Sequence, residues 1–277
     1  MPTVISPTDL DILQVCYQLR FATIAHLSAL TNRERNALNR RILQLIAEKY
    51  IYRVTFPNPN QKHIYTLGIE GFKHLAHLGL IHIDEVPTRF RASELKPLFL
   101  EHALFISDIH ATLILATRNN HLELTEWREG KSIYDSVTFF NGIKKERLPV
   151  CPDGFFEIRN NQREAPRNKL AFVLEADRST TTRRTFQDKL VAYTHYLDQK
   201  RQVEFFKVGW FRVVTLTLTQ ARADSLANLA NEIVDEKMQK FFLFASREHF
   251  SLDQPNSIYD EIYKTPRDEN LISLMPN

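Results

Sequence analysis

Residues 152–196 read PDGFFEIRNNQREAPRNKLAFVLEADRSTTTRRTFQDKLVAYTHY. A short apolar run follows Asp153, and a polar, basic loop comes next. A second apolar run, LAFVLEAD at 170–177, ends in two carboxylates, Glu175 and Asp177. A segment with helical spacing closes the block, with Phe186, Leu190, Tyr193 and Leu197 on one face. Side chains two apart in a strand share a face. Glu175 and Asp177 therefore project together, and Asp153 meets them if the two runs pair as strands. Three carboxylates on one sheet face are hard oxygen ligands suited to Mg²⁺ or Mn²⁺. Such a metal activates water and offsets charge on a scissile phosphate. A cation is also wanted there, and Lys189 or Arg178 can supply it. The plainer alternative is that Asp153-Gly154 is only a turn and that the acids at 175 and 177 cap the following helix.

The sequence on either side predicts an α/β layer around this block. Residues 97–117, PLFLEHALFISDIHATLILAT, are apolar nearly all round and predict a buried helix. Its polar exceptions include Glu101, His102 and Asp108. Strands are expected over 121–127 and 132–140, and a basic loop, NGIKKERLPV, over 141–150. After the helix at 183–197 come one or two strands within 205–219, a helix over 221–237 and a strand over 241–245. The segment 251–277 shows little periodicity and is expected to wrap the surface. The domain assignment is 1–82, a linker over 83–96, an α/β domain with a mixed central sheet over 97–250, and an irregular tail.

The N-terminal segment follows a different pattern. Ser6-Pro7-Thr8-Asp9 is a capping box with Pro at the first helical position. Thr23 can cap a second helix, and Thr31-Asn32-Arg33-Glu34 reads as a further capping box before a third. That third helix turns Leu38, Ile42, Leu45 and Ile46 inward and offers Arg35, Asn36, Asn39, Arg40 and Gln44 outward. Two strands, over 50–56 and 63–67, flank a Pro/Asn turn, and a fourth helix runs over 69–78. Three helices and a hairpin in about eighty residues are the pattern of a winged helix-turn-helix. Arg33, Arg35, Asn36, Asn39, Arg40 and Gln44 can bond base edges and phosphates, and Lys62 lies near the wing tip. Residues 1–80 hold nine Lys/Arg against five Asp/Glu, whereas the remainder is close to balanced. Double-stranded DNA is the partner this suggests. An ordinary helical module or a dimerisation domain is the competing reading.

Composition excludes several classes. Seven Gly and no Gly-rich phosphate motif argue against a nucleotide-binding loop. Two Cys, Cys16 and Cys151, give neither a disulfide framework nor a zinc cluster. His74, His77 and His82 lack a completing ligand at a metal-binding spacing. The apolar runs look too short to span a bilayer, so a soluble, cytoplasmic protein without a membrane partner is expected.

The order PDG, then FVLEADR, then a helix with KLVAY resembles the PD-(D/E)XK nuclease fold. With the helix-turn-helix in front, the chain resembles the replication-relaxation family of plasmid and mobile-element proteins. The resemblance also covers EHALFISDIHATL, FRVVTLT and FFLFA. It implies plasmid replication control or mobilisation, with Mg-dependent DNA nicking in relaxase-like members. Asp153 and Glu175 match the metal-binding acids. Asp177 stands where the nuclease superfamily usually has Lys, and Lys189 would be its migrated replacement. Glu101 or His102 matches the position on the first core helix. A homodimer and other mobilisation or replication proteins are the further partners implied. The alternative is a non-catalytic DNA-binding regulator with a degenerate nuclease-like domain.

Overall fold

The computed structural model describes residues 4–54, 63–88, 95–118, 120–268 and 270–275. The chain mixes helix and sheet and divides into two compact units, Met1–Leu115 and Ala116–Asn277.

The first unit begins with α1 (Pro7–Leu19). Its capping box is formed: Asp9 N donates to Ser6 Oγ, while Ser6 N donates to Asp9 Oδ2 at 2.7 Å. Such a cap contributes about 1 kcal/mol. A short strand, β1 (Ala22–Thr23), leads into α2 (Ile24–Thr31), which Thr23 caps. Thr31 does not cap the next helix. It ends α2, and its hydroxyl donates back to Leu27 O at 2.6 Å. Asn32 then takes the left-handed conformation that ends the helix, and α3 (Arg35–Ala47) starts without a side-chain cap. Leu38, Ile42 and Leu45 are its buried face. Arg41, on its flank, makes two hydrogen bonds to buried Asp9, tying α3 to α1. Burial opposes the Asp9 charge, but Arg41 and Ser6 hold its carboxyl below the usual value.

An antiparallel hairpin follows, β2 (Ile51–Val54) and β3 (Ile64–Leu67), and β1 adds on the other side of β3. The residues of the expected wing tip, Lys62 among them, lie outside the described residues. Helix α4 (Ile69–His77) begins after Gly68. A β-carbon at Gly68 would collide with the Lys49 carbonyl, so this close approach requires glycine.

Helix α5 (Pro97–Thr117) has the expected bounds, but its contacts group residues through Leu115 with the first unit. Ser107 Oγ donates to Leu19 O at 3.0 Å, Phe99 meets Phe21 edge-on, and Leu100 joins the cluster of Phe21, Val54 and Ile64. Thr23 N donates to His26 Nδ1, so the proton of buried His26 sits on Nε2 and points at Asp108 Oδ1, 2.6 Å away. At 21 residues, α5 is long and apolar enough to cross a bilayer by length and composition. Run length therefore does not decide the membrane question, contrary to expectation. Half of its apolar window is buried within the protein, and the Ser107 and Asp108 bonds are those of a core helix.

The second unit is built on a five-stranded mixed sheet in the order β10-β9-β8-β7-β4. Its strands are β4 (Leu122–Arg128), β7 (Gly154–Asn160), β8 (Lys169–Asp177), β9 (Arg212–Thr217) and β10 (Phe242–Ser246). The first three run antiparallel, and the last two run parallel to β8. The parallel crossovers pass through α6 (Arg183–Asp198), followed by a short helix, α7 (Arg201–Phe205), and through α8 (Gln220–Ile233). Val173, Val213 and Phe244 face Phe186, Tyr193, Leu226 and Ala230 in one core.

One expectation fails here. The segment expected as a basic loop holds a strand, β6 (Lys145–Val150), paired with β5 (Asp135–Phe140) in a separate hairpin. Its charged residues hid an alternation in which only one face is buried. Of the one or two strands expected within 205–219, one forms, β9, because Phe205 ends α7 instead of starting a strand. Within the tail, β11 (Glu261–Tyr263) pairs with β12 (Ile272–Ser273), and Lys264 bridges Phe244 on the edge of β10.

Candidate active site

Strand register brings the first two acids together. Gly154 lies opposite Leu174, so Asp153 arrives beside Glu175. Asp153 N donates to Leu174 O at 2.9 Å, and Ala176 N donates to Asp153 Oδ2 at 2.8 Å. The backbone of one strand thus positions the carboxylate of the other. Asp153 is half-buried, whereas Glu175 is 3% exposed.

Helix α6 supplies the partners of Glu175. Lys189 Nζ donates to Glu175 Oε2, and Tyr193 OH donates to Oε1 at 2.5 Å. Lys189 and Tyr193 are four apart, so one helical face delivers both donors. Burial works against the Lys189 charge, but Glu175 and then Asp153 outweigh it and raise its pKa. Burial also pushes the Glu175 carboxyl up, Asp153 adds to this, and Lys189 and Tyr193 oppose it. Burial and the neighbouring carboxylate raise Tyr193 well above the ordinary phenol value, so it stays a donor. About a third of the Lys189 side chain remains exposed, which leaves the cluster open toward solvent on the Asp153 and Lys189 side.

Asp177 goes elsewhere. Arg222 at the start of α8 grips it with two parallel hydrogen bonds, Nε to Oδ1 at 2.9 Å and Nη2 to Oδ2 at 3.1 Å. Arg222 also donates to Thr181 O, and Ser179 N donates to Asp177 Oδ1 at 2.8 Å. Burial opposes the Asp177 charge, but these donors hold its carboxyl below the usual range. Asp177 closes the turn between β8 and α6, instead of adding a third oxygen donor beside Asp153 and Glu175.

Among the described residues, no group of three or more His, Cys, Asp or Glu converges as a metal centre. Two carboxylates are the donor type Mg²⁺ takes, since it keeps several waters and takes remaining ligands from a phosphate substrate. The donor chemistry of Asp153 and Glu175 fits that arrangement; Asp177 falls outside it. Arg178 is half-buried just past Asp177. Glu101 and His102 lie on α5, in the first unit.

In the first unit, Arg33, Arg35, Asn36, Asn39, Arg40 and Gln44 are all exposed. Arg33 precedes α3 and approaches Asp11 at 3.5 Å, and Gln44 accepts from Arg41 Nη1 at 2.6 Å. Leu43 is 60% exposed among them.

Arg222 is the residue that sequence reasoning missed. It lies 45 residues from its partner, and nothing in its own neighbourhood marks it. Tyr193 carried a signal in its four-residue spacing from Lys189.

The family model described as Replication-relaxation matches residues 13–208. The chain belongs to that family, which connects it with replication or mobilisation. No curated protein and no solved structure matches it.

Proposed function

We propose that this member of the replication-relaxation family is a cytoplasmic DNA-binding protein of a plasmid or mobile element that nicks duplex DNA with the help of Mg²⁺ or Mn²⁺. The observation that carries the reading is the contact of Lys189 with Glu175 beside Asp153. It gathers two acids and a lysine although position 177 holds no lysine. Within the second unit, the βββαβ order of β4, β7, β8, α6 and β9 in the mixed sheet supports a PD-(D/E)XK-like fold. The acids sit at the carboxyl end of β8, the end of a strand at which α/β sheets commonly hold ligands.

Asp153 and Glu175 would hold the metal, which supplies charge neutralisation at the scissile phosphate and a bound water of lowered pKa. The protein's own part is positional. Tyr193 and the buried surroundings fix the orientation of Glu175. The Lys189 ammonium, about a third exposed, offsets charge gathering on the phosphate oxygens as water adds and a sugar oxygen leaves.

Target search falls to the first unit in this reading. Helices α1 to α3 and the β2–β3 hairpin suit a winged helix, with α3 in the major groove. Arg35, Asn36, Asn39 and Arg40 would meet base edges and phosphates, Arg33 and Lys62 the backbone, and Leu43 a thymine methyl. A homodimer, or docking to other mobilisation or replication proteins, would set the spacing of half-sites.

One observation favours a second reading. Both Glu175 oxygens already have donors, and Asp177 is locked to Arg222. A regulator with a degenerate nuclease-like domain would keep such a cluster for stability. Nicking of supercoiled origin DNA, with wild type set against Asp153→Ala and Glu175→Ala, separates the two. Loss of nicking in both variants, with DNA binding intact, supports the enzyme. Cleavage that persists in both would remove the site assignment, and absence of cleavage by a DNA-bound wild type supports the regulator.

A further inference from the structure

The β5–β6 hairpin has two unlike faces. Its inner face carries Val137, Phe139 and Leu148, which pack into the core under α6. Phe139 stacks on His195 with ring centroids 3.9 Å apart. Tyr196 OH and Arg201 Nη2 each donate to Asp135 Oδ2 at 3.0 Å, and Gln199 Nε2 donates to Thr138 O at 3.0 Å. The hairpin is therefore fastened to the helix that carries Lys189, about six residues or ~9 Å along that helix.

Residues directly opposite in the ladder share a face. Phe140 pairs with Lys145, Thr138 with Arg147, and Ser136 with Pro149. That outer face holds two cations and no acid, and Phe140 on it is 67% exposed. At the tip, Asn141 Oδ1 accepts from Ile143 N and Lys144 N at 3.1 and 3.0 Å, with Gly142 in the left-handed region that the turn requires. The tip is thus ordered by its own bonds, and it presents Ile143, 89% exposed, beside Lys144.

We propose that this hairpin is a DNA-bending arm: Lys144, Lys145 and Arg147 engage duplex phosphates while Ile143 wedges between base steps. The inference rests on the DNA-binding reading above and adds a second contact surface to it. Duplex DNA is the chosen occupant because Lys144, Lys145 and Arg147 flank the exposed Phe140 and Ile143, while the carboxylate of Glu146 is engaged by Asn141 Nδ2 at 2.8 Å. Apolar side chains flanked by basic residues unstack base steps and kink duplexes by about 20–90°.

The test uses the full chain and a mixed-sequence duplex of about 30 base pairs, long enough to register such a kink. Anisotropy across a salt series and end-to-end energy transfer are the readouts. Lys144→Ala/Lys145→Ala should lower the slope of log affinity against log salt by about 2, near 0.9 per lost phosphate contact. Ile143→Ser should keep that slope and lose most of the bend. If wild type binds and both variants bind and bend equally well, the arm is refuted and the DNA-binding reading stands. If wild type binds without bending, the wedge is refuted. If wild type binds no duplex at any salt, the DNA-binding reading itself fails, and the arm with it. Unchanged DNA binding with loss of binding to anionic lipid vesicles would assign the hairpin to a membrane surface and overturn the proposal.

Discussion

Glu175 and Asp177 leave the same face of β8 two residues apart, yet their carboxylates live in different surroundings. Glu175 meets Lys189 and Tyr193 from α6, with Asp153 alongside from β7. Asp177 meets Arg222 from α8 and the turn amide of Ser179. One acid sits in a cluster that reaches solvent through Asp153 and Lys189. The other closes a fork-to-fork pair whose bonds are internally satisfied. Equal spacing on a strand fixes which way a side chain points; the helix it meets decides its role.

The contrast breaks most visibly if Arg222 is removed. Arg222→Ala leaves Asp177 buried without its cation and should cost about 3–5 kcal/mol of stability, read as a fall in the urea midpoint. The double replacement Asp177→Leu/Arg222→Met should recover most of that loss, since a buried pair exchanges for apolar contact at little net cost. A single variant as stable as wild type would show that the pair closes nothing.

A smaller effect is expected on the other side. Tyr193→Phe removes one donor from buried Glu175 and should cost about 1.5–3 kcal/mol, the range for hydrogen bonds to charged groups. Lys189 keeps the carboxylate compensated, so the fold should persist. A neutral Tyr193→Phe would mean that the phenol is packing alone.

The pair at Asp177 also has a signature in pH. Its folded carboxyl lies below the ordinary value, so its stabilisation is fully present above about pH 4. It is lost as pH falls through the lower folded value. Urea midpoints measured downward from pH 6 should therefore drop in wild type through that window, and by less in Arg222→Ala. Equal acid slopes in the two proteins would assign the acid sensitivity to other carboxylates, Asp9 with Arg41 first among them.

Much of this arrangement was legible from local pattern. The capping box at Ser6, the bounds of α5 and the apolar strand ending in Glu175 are signals carried within a few residues. So was the Lys189–Tyr193 spacing. Strand β6 was hidden because Lys145, Glu146 and Arg147 mask an alternation buried on one side only. The partner of Asp177 was hidden because only the crossover through α6 and β9 brings Arg222 back to it. Glu175 and Asp177 were expected to act together, and pairing at that range is not written in either residue's neighbourhood.

The smallest predicted effect lies outside the comparison and serves as its control. Arg40→Ala, on the exposed face of α3, should weaken DNA binding by about 1 kcal/mol, near fivefold, with no change in stability. Unaltered affinity would mean that α3 is not the reading helix.

Nicking of supercoiled DNA that carries an origin from the chain's own replicon, with Mg²⁺ or Mn²⁺ present, tests most directly whether Lys189 serves where position 177 holds Asp. Lys189→Ala should lose at least about 100-fold in rate, as Asp153→Ala does, while Asp177→Leu/Arg222→Met continues to nick. A Lys189→Ala protein that nicks at the wild-type rate would contradict it.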